Sequence, residues 1–229
     1  MFTFRAFRAI NDHQTCVKFR EGHVKVLSDY GITNITTNND DWMYNPMVYA
    51  IVAEDELGVV QGGIRIHVAD PDHRLPVEDA IGEMDPKIYT LIREFSINGT
   101  GELCGLWNSK AVAGLGISLL LIRAGISIVN QINLSSLFTI CADYTLPMVH
   151  RVGFVVEDQL GNKGEFIYPN ENYIARVLRR MNAITLDTAQ ELDRNRILAL
   201  RERPVQICKE EGSKGILDLN YQLIIPNNS

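Results

Sequence analysis

Two glycines, Gly114 and Gly116, stand where a long apolar helix pattern begins, in the stretch Ala111-Val112-Ala113-Gly114-Leu115-Gly116. A helix start presents main-chain N–H groups without intrahelical acceptors, together with the positive end of the helix dipole. Glycine removes the Cβ that would hold an anion away, so this window can seat a pyrophosphate. Arg65 lies in a β-branched run, and its planar fork suits paired oxygens such as those of a carboxylate; an outward-facing hairpin arginine is the other reading. Cys141 ends an apolar run with no nearby His-Asp pattern and is read as packing, not as a nucleophile. His67 and His73 have no metal-ligand spacing, and no metal is expected.

These groups need elements to hold them. Glu102 to Trp107 has the length and aliphatic-aromatic content of a strand, and it leads through a small-residue loop into the apolar run Ala111 to Val129. Upstream, Phe2 to Arg8 reads as a first strand, Asn11-Asp12 as a helix cap, and the helical spacing of Cys16, Phe19, Val24 and Leu27 stops at Gly31. Thr33 to Asp41 is polar and reads as a loop. Val48 to Ala53 and Val59 to Val68 form a predicted hairpin, with Gly62-Gly63 marking a bulge or a close approach. Ala69 to Lys87 is an acidic insertion with one short helix at Val77 to Ile81, and Tyr89 to Ile97 is read as a further strand segment. The acidic side chains Asp70, Asp72, Glu78, Asp79, Glu83 and Asp85 are either plainly solvated or attract a cationic acceptor amine.

Downstream, Leu137 to Ala142 reads as a strand and Thr145-Leu146-Pro147 as a helix start. Val155-Val156 and Phe166-Ile167-Tyr168 read as a closing hairpin around a glycine-rich tip. Tyr173 to Arg203 is helical in pattern, and Ile216 to Ile225 is amphipathic or extended.

With 229 residues, 46% of them apolar, the chain can bury a substantial core. A net charge of −6 argues against non-specific binding to nucleic acid or anionic membranes. Four widely spaced cysteines and no signal-peptide pattern suggest reduced thiols in a cytoplasm. Arg123 lies near the middle of the apolar run, which favours a buried core helix over a membrane span.

The order of these elements, with Gly114-Leu115-Gly116 after a strand and Val152-Gly153-Phe154 closing a later helix, resembles the GCN5-related N-acetyltransferase (GNAT) superfamily. The family motif is Gln/Arg-x-x-Gly-x-Gly/Ala; here Ala111 occupies the Gln/Arg position and Lys110 lies one residue earlier. Within the superfamily, Asn45 to Val52, Gly58 to Arg65 and Glu102 to Gly105 look like the acyl-homoserine-lactone synthase and N-acyl amino acid synthase branch. In that branch an Arg closes the third strand and a Glu opens the fourth, here Arg65 and Glu102; a second Arg three residues on is Gly105 in this chain.

The resemblance implies an α+β (α/β) fold: a mixed, mostly antiparallel central sheet flanked by helices. Residues 1–168 would form the acyltransferase domain and residues 169–229 a C-terminal helical extension packed on it. It implies transfer of an acyl group, acetyl or longer, from acyl-CoA or acyl carrier protein to an amine of a small molecule, and it allows a homodimer. Donor contacts would fall at Leu106, Trp107, Asn108, Lys110, Gly114, Leu115 and Gly116, with a main-chain N–H near Leu106 to Asn108 polarising the thioester. Glu102 would be the general base, a solvated or salt-bridged strand-end carboxylate being the other reading, and Arg65 a carboxylate or phosphopantetheine contact. Val149 stands where many members carry a Tyr acid, so His150 or Tyr144 would substitute. The replacements at Ala111, Val149 and Gly105 keep open a second reading, a sensor or scaffold that binds acyl-CoA without turnover.

Overall fold

Every second side chain of Phe2–Arg8 (β1) that turns inward is apolar, Phe4 and Ala6 among them, and this period-2 burial sets the N-terminal strand into a sheet. A computed structural model of the chain describes residues 1–32, 39–212 and 214–226. The expected loop at Thr33 to Asp41 therefore lies largely outside the described residues. After β1 the Asp12 side chain accepts from the Thr15 N–H and caps α1 (His13–Asp29), which closes at Gly31 with φ of 70°.

The hairpin β2 (Val48–Glu54) and β3 (Val60–Val68) follows as expected, then α2 (Pro76–Ile81) and α3 (Lys87–Ser96). Next come β4 (Thr100–Asn108), α4 (Ile117–Ser127), β5 (Ser136–Ala142), α5 (Leu146–Arg151) and the short strands β6 (Val155–Val156) and β7 (Glu165–Ile167). The chain ends with β8 (Ile174–Arg180), α6 (Glu191–Glu202), β9 (Val205–Gly212) and β10 (Gly215–Gln222). Ten strands make one sheet in the order β6-β8-β5-β4-β3-β2-β1-β10-β9, with β7 beside β8. Among the described residues only β4–β5 and β1–β10 are parallel.

α4 is buried almost all round, which explains its apolar run: it lies between the sheet and α6. No helix among the described residues is long and apolar enough to cross a membrane. Its one charge, Arg123, is 5% exposed and is paired with Asp193 of α6 and Glu210 of β9, each at 2.6 Å. Arg151 also reaches Asp193, at 3.0 Å.

Three expectations are corrected. Tyr89 to Ile97 is not a strand but part of α3: Ile88 and Ile92 are buried four residues apart, and Leu91 and Phe95 repeat that spacing against the same cluster. Tyr173 to Arg203 is not one helix. Its first half is β8, covered on both faces, with Ala175, Val177, Leu178 and Arg180 all buried, so the period-2 alternation that marks a strand is erased. The C-terminal segment is thus a strand, a twelve-residue helix and a hairpin, not a helical extension. Finally, β6 and β7 do not pair with each other; both pair with β8, the strand hidden in the supposed helix.

Removing one partner from a buried ion network leaves the others charged and uncompensated, at about 3–5 kcal/mol. Arg123→Ala is expected to cost that much in urea unfolding; a loss under about 1 kcal/mol, the size of an exposed pair, would show that the network is solvated.

Candidate active site

β4 is held on one edge and released on the other. It pairs with β3 from Val68↔Gly101 to Gly62↔Asn108, but with β5 only at Thr100↔Ser136, Gly101↔Leu137 and Glu102↔Phe138. Beyond Glu102 the β5-facing edge of β4 has no partner strand among the described residues. The cause is local. Register runs from Gly63↔Trp107 to Arg65↔Cys104, so β4 carries an extra residue, and Gly105 takes φ of 60° there. Such a bulge bends the strand and leaves main-chain groups unpaired.

The released segment is braced by its side chains. Trp107 packs on α1: a Cβ at Gly22 would come within 2.0 Å of its ring. Leu106 packs against the core on the α4 side, and Asn108 accepts from the Ser118 hydroxyl in the first turn of α4.

The connection into α4 carries both glycines in left-handed backbone, Gly114 at φ 76° and Gly116 at φ 86°. Gly116 is the N-cap of α4 and brings no side-chain acceptor to its N–H groups. The space where its Cβ would sit is open to 4 Å. The N–H of Leu115 is turned to the Val112 carbonyl. Lys110 points elsewhere: its ammonium pairs with Asp29 of α1 at 2.9 Å.

The α1 face of the same strands holds a buried polar group. The cross-strand pairs Arg65↔Cys104 and His67↔Glu102 put all four side chains on one face. Arg65 and Glu102 are 0% exposed and His67 8%. Arg65 therefore faces inward, its guanidinium 4.2 Å from the Trp42 ring centre and 5.5 Å from that of Phe19. It also crosses Gly105, where a Cβ would lie 2.9 Å from Nε.

One oxygen of Glu102 accepts from the Val77 N–H at 2.6 Å. The other, and Nε2 of His67, have no hydrogen-bond partner among the described residues. Burial pushes the Glu102 carboxyl up to about 8, against the Val77 N–H and the Arg65 charge, which pull it down. Burial and Arg65 together hold His67 well below the usual histidine range, as a neutral ring. Arg65 and His67 of this group, but not Glu102, line a cleft of about 190 Å³ together with Trp42, Asn45, Arg74 and Asp79.

The structure thus brings Arg65 and Glu102 together, and groups Leu106, Trp107, Asn108, Gly114, Leu115 and Gly116 on the β4–α4 connection. His150 lies in α5 and Tyr144 just before it. The His150 ring bonds the Phe154 carbonyl at the end of its own helix, and Tyr144 is 80% exposed. Burial raises the Cys141 thiol to about 12, in keeping with packing. His67 and Trp42 were missed as site residues; the adjacency of His67 to Arg65 in the alternating strand was the available signal. Among the described residues no three His, Cys, Asp or Glu side chains gather as metal ligands.

A larger cleft, about 840 Å³, lies between α1, the β2–β3 turn and Ser109 to Ala111. Neither cleft is lined by Glu102 or by the glycines of the α4 start; the larger one has exposed lysines, Lys18, Lys25 and Lys110, beside Glu21 and Asp29, whereas the smaller one is lined by the buried Arg65 and His67. Size alone does not bring groups that could do acyl chemistry, and we assign the site to the smaller polar cleft and the β4–β5 opening.

No protein-family sequence model and no curated protein sequence matches the chain. Solved structures do. FeeM, an N-acyl amino acid synthase from uncultured soil microbes, superposes with a TM-score of 0.64 at 13% identity, over 85% of this chain and 98% of that one. BjaI, a CoA-dependent acyl-homoserine lactone synthase solved with SAM and isopentyl-CoA, gives 0.55 at 14% identity, over 89% and 91%. An acyl-CoA N-acyltransferase from Pseudomonas aeruginosa gives 0.55 at 12% identity, over 79% and 99%. The chain has the fold of the GNAT N-acyltransferases.

The folded chain keeps the Glu102 proton up to about pH 8, whereas the unfolded chain releases it near 4.5. The folded state therefore binds the extra proton in that window, and its stability falls as pH rises, by up to about 1.4 kcal/mol per pH unit. Urea unfolding of Glu102→Gln against the parent should show a gap that shifts in the variant's favour from pH 5 to 8 and then levels; a gap independent of pH would mean an ordinary carboxylate.

Proposed function

We propose that the protein is an N-acyltransferase that moves an acyl group from acyl-CoA, or from an acyl carrier protein, to the amine of a small molecule. The observation that carries this reading is the parting of β4 from β5 just after Glu102, which sets a free main-chain edge beside a buried carboxyl of raised pKa. The fold shared with N-acyltransferases supports the same reaction class.

The donor thioester lies along the freed edge of β4, its diphosphate on the N–H groups of the first turn of α4, after the Gly114-Leu115-Gly116 loop. The acceptor enters the cleft at Arg65, His67, Arg74 and Asp79, where Asp79 offers a partner for an ammonium. Glu102, as carboxylate, takes a proton from that ammonium directly or through water, and the freed nitrogen attacks the thioester carbon. A main-chain N–H between Leu106 and Asn108 receives the oxyanion. The C–S bond then breaks, the amide forms, and the thiolate leaves with the second amine proton, so that acyl thioester and amine become amide and thiol. A base titrating near pH 8 is matched to an amine acceptor at mildly alkaline pH. A cytoplasmic location, with the thiols reduced, suits a CoA-dependent reaction.

A second reading, donor binding without turnover, is favoured by one observation: the position where many family members carry a Tyr acid is Val149, 3% exposed and packed in the core. Thiol release from acetyl-CoA and longer acyl-CoAs against a panel of amines separates the two. Turnover should rise with pH to a plateau near 8, and Glu102→Gln should lower kcat by about 10²–10⁴-fold, the range of general-base catalysis. Saturable acyl-CoA binding with no thiol release from any amine would establish the binding protein instead.

A further inference from the structure

The donor seat at the start of α4 lacks a cation of its own. The family's basic position is Ala111, and Lys110 is committed to Asp29. The C-terminal hairpin supplies one. Although β10 lies beside β1, beyond the far side of the β4 region, the β9–β10 turn folds back onto the glycine loop. A Cβ at Gly212 would come within 2.7 Å of the Leu115 carbonyl, and one at Gly114 within 2.8 Å of Lys214 Cε, so Gly212 meets the loop's backbone and the Lys214 side chain lies over Gly114. Lys214 Nζ donates to the Ala113 carbonyl at 2.7 Å.

The hairpin is fixed in that position by a buried contact with the same helix. Glu210 of β9 accepts from Arg123 of α4 at 2.6 Å, and both are more than nine-tenths buried. The ion pair and the Lys214 contact lie four residues apart in the chain, so the hairpin is tied to both the middle and the mouth of α4.

We infer that Lys214, delivered by the C-terminal hairpin, is the side chain that positions the donor's diphosphate at the start of α4. This rests on the donor reading proposed above. An ammonium has three donors and no acceptor capacity, and one bond to Ala113 leaves two for phosphate oxygens. The open space at Gly116 lies on the same loop. Lys214 is a positioning residue: it acts on the donor's affinity, not on the reacting carbon.

Calorimetric titration of the full chain with coenzyme A tests this, using Lys214→Ala, Lys214→Arg and Lys209→Ala. Lys209 is exposed on the same hairpin and paired with Asp218, so it controls for loss of one positive charge. Loss of one charge-assisted hydrogen bond should weaken binding about tenfold in Lys214→Ala. Lys214→Arg should restore most of it and Lys209→Ala should bind like the parent. In turnover, Lys214→Ala should raise the donor KM and leave kcat unchanged. Parent-like affinity in Lys214→Ala, or an equal loss in Lys209→Ala, would overturn the inference and leave the donor reading standing. If the parent chain itself showed no saturable binding of coenzyme A, the donor reading would fall and this inference with it.

Discussion

The site depends on one feature of main-chain pairing: β4 keeps β3 along its whole length and loses β5 after Glu102. A strand inside a sheet normally spends both edges on neighbours, and a free edge buried in a protein is costly unless something else satisfies it. Here the extra residue at Gly105 opens that edge, and the loop after Asn108 turns directly into α4. The bulge, the free edge and the helix start are consecutive in sequence, so a single stretch of chain from Glu102 to Gly116 fixes the order of a buried carboxyl, an unpaired strand edge and a helix N-terminus.

Around this stretch the protein buries charge on both faces of the sheet. On the α1 face, Arg65, His67 and Glu102 are withdrawn from water, with Trp42 and Phe19 stacked over the guanidinium. Buried polar atoms left without protein partners, such as the second Glu102 oxygen, cost about 1–3 kcal/mol each. Such a cost is tolerated where a substrate supplies the missing partner. On the α4 face the charges are matched: Arg123 with Asp193 and Glu210. The first group keeps polar atoms unmatched, and the second ties the C-terminal segment to α4.

Much of this was legible in the sequence because its signals are local. The left-handed glycines at Gly114 and Gly116, the proline-led helix at Leu146 and the β2–β3 hairpin each announce themselves within a few residues. Glu102 and Arg65 were found through the resemblance to the synthase branch, although Arg65 lies inside β3 and does not close it. What failed was non-local. β8 sits between β5 and β6 with both faces covered, so its alternation is lost and its charged Arg176 and Arg179 resemble a helix surface until Glu165 and Glu157 are seen opposite them. No local pattern could place Lys214 at the glycine loop, since the two are about a hundred residues apart and meet only through the sheet.

The most direct test follows the amide resonances of the chain as coenzyme A is added. Residues 103–108 of the freed strand and 111–118 of the loop and helix start should shift together and saturate. Shifts confined to the larger cleft, at Lys18, Lys25 and Val59 to Gln61, with residues 111–118 unmoved, would contradict the placement of the donor between β4 and β5.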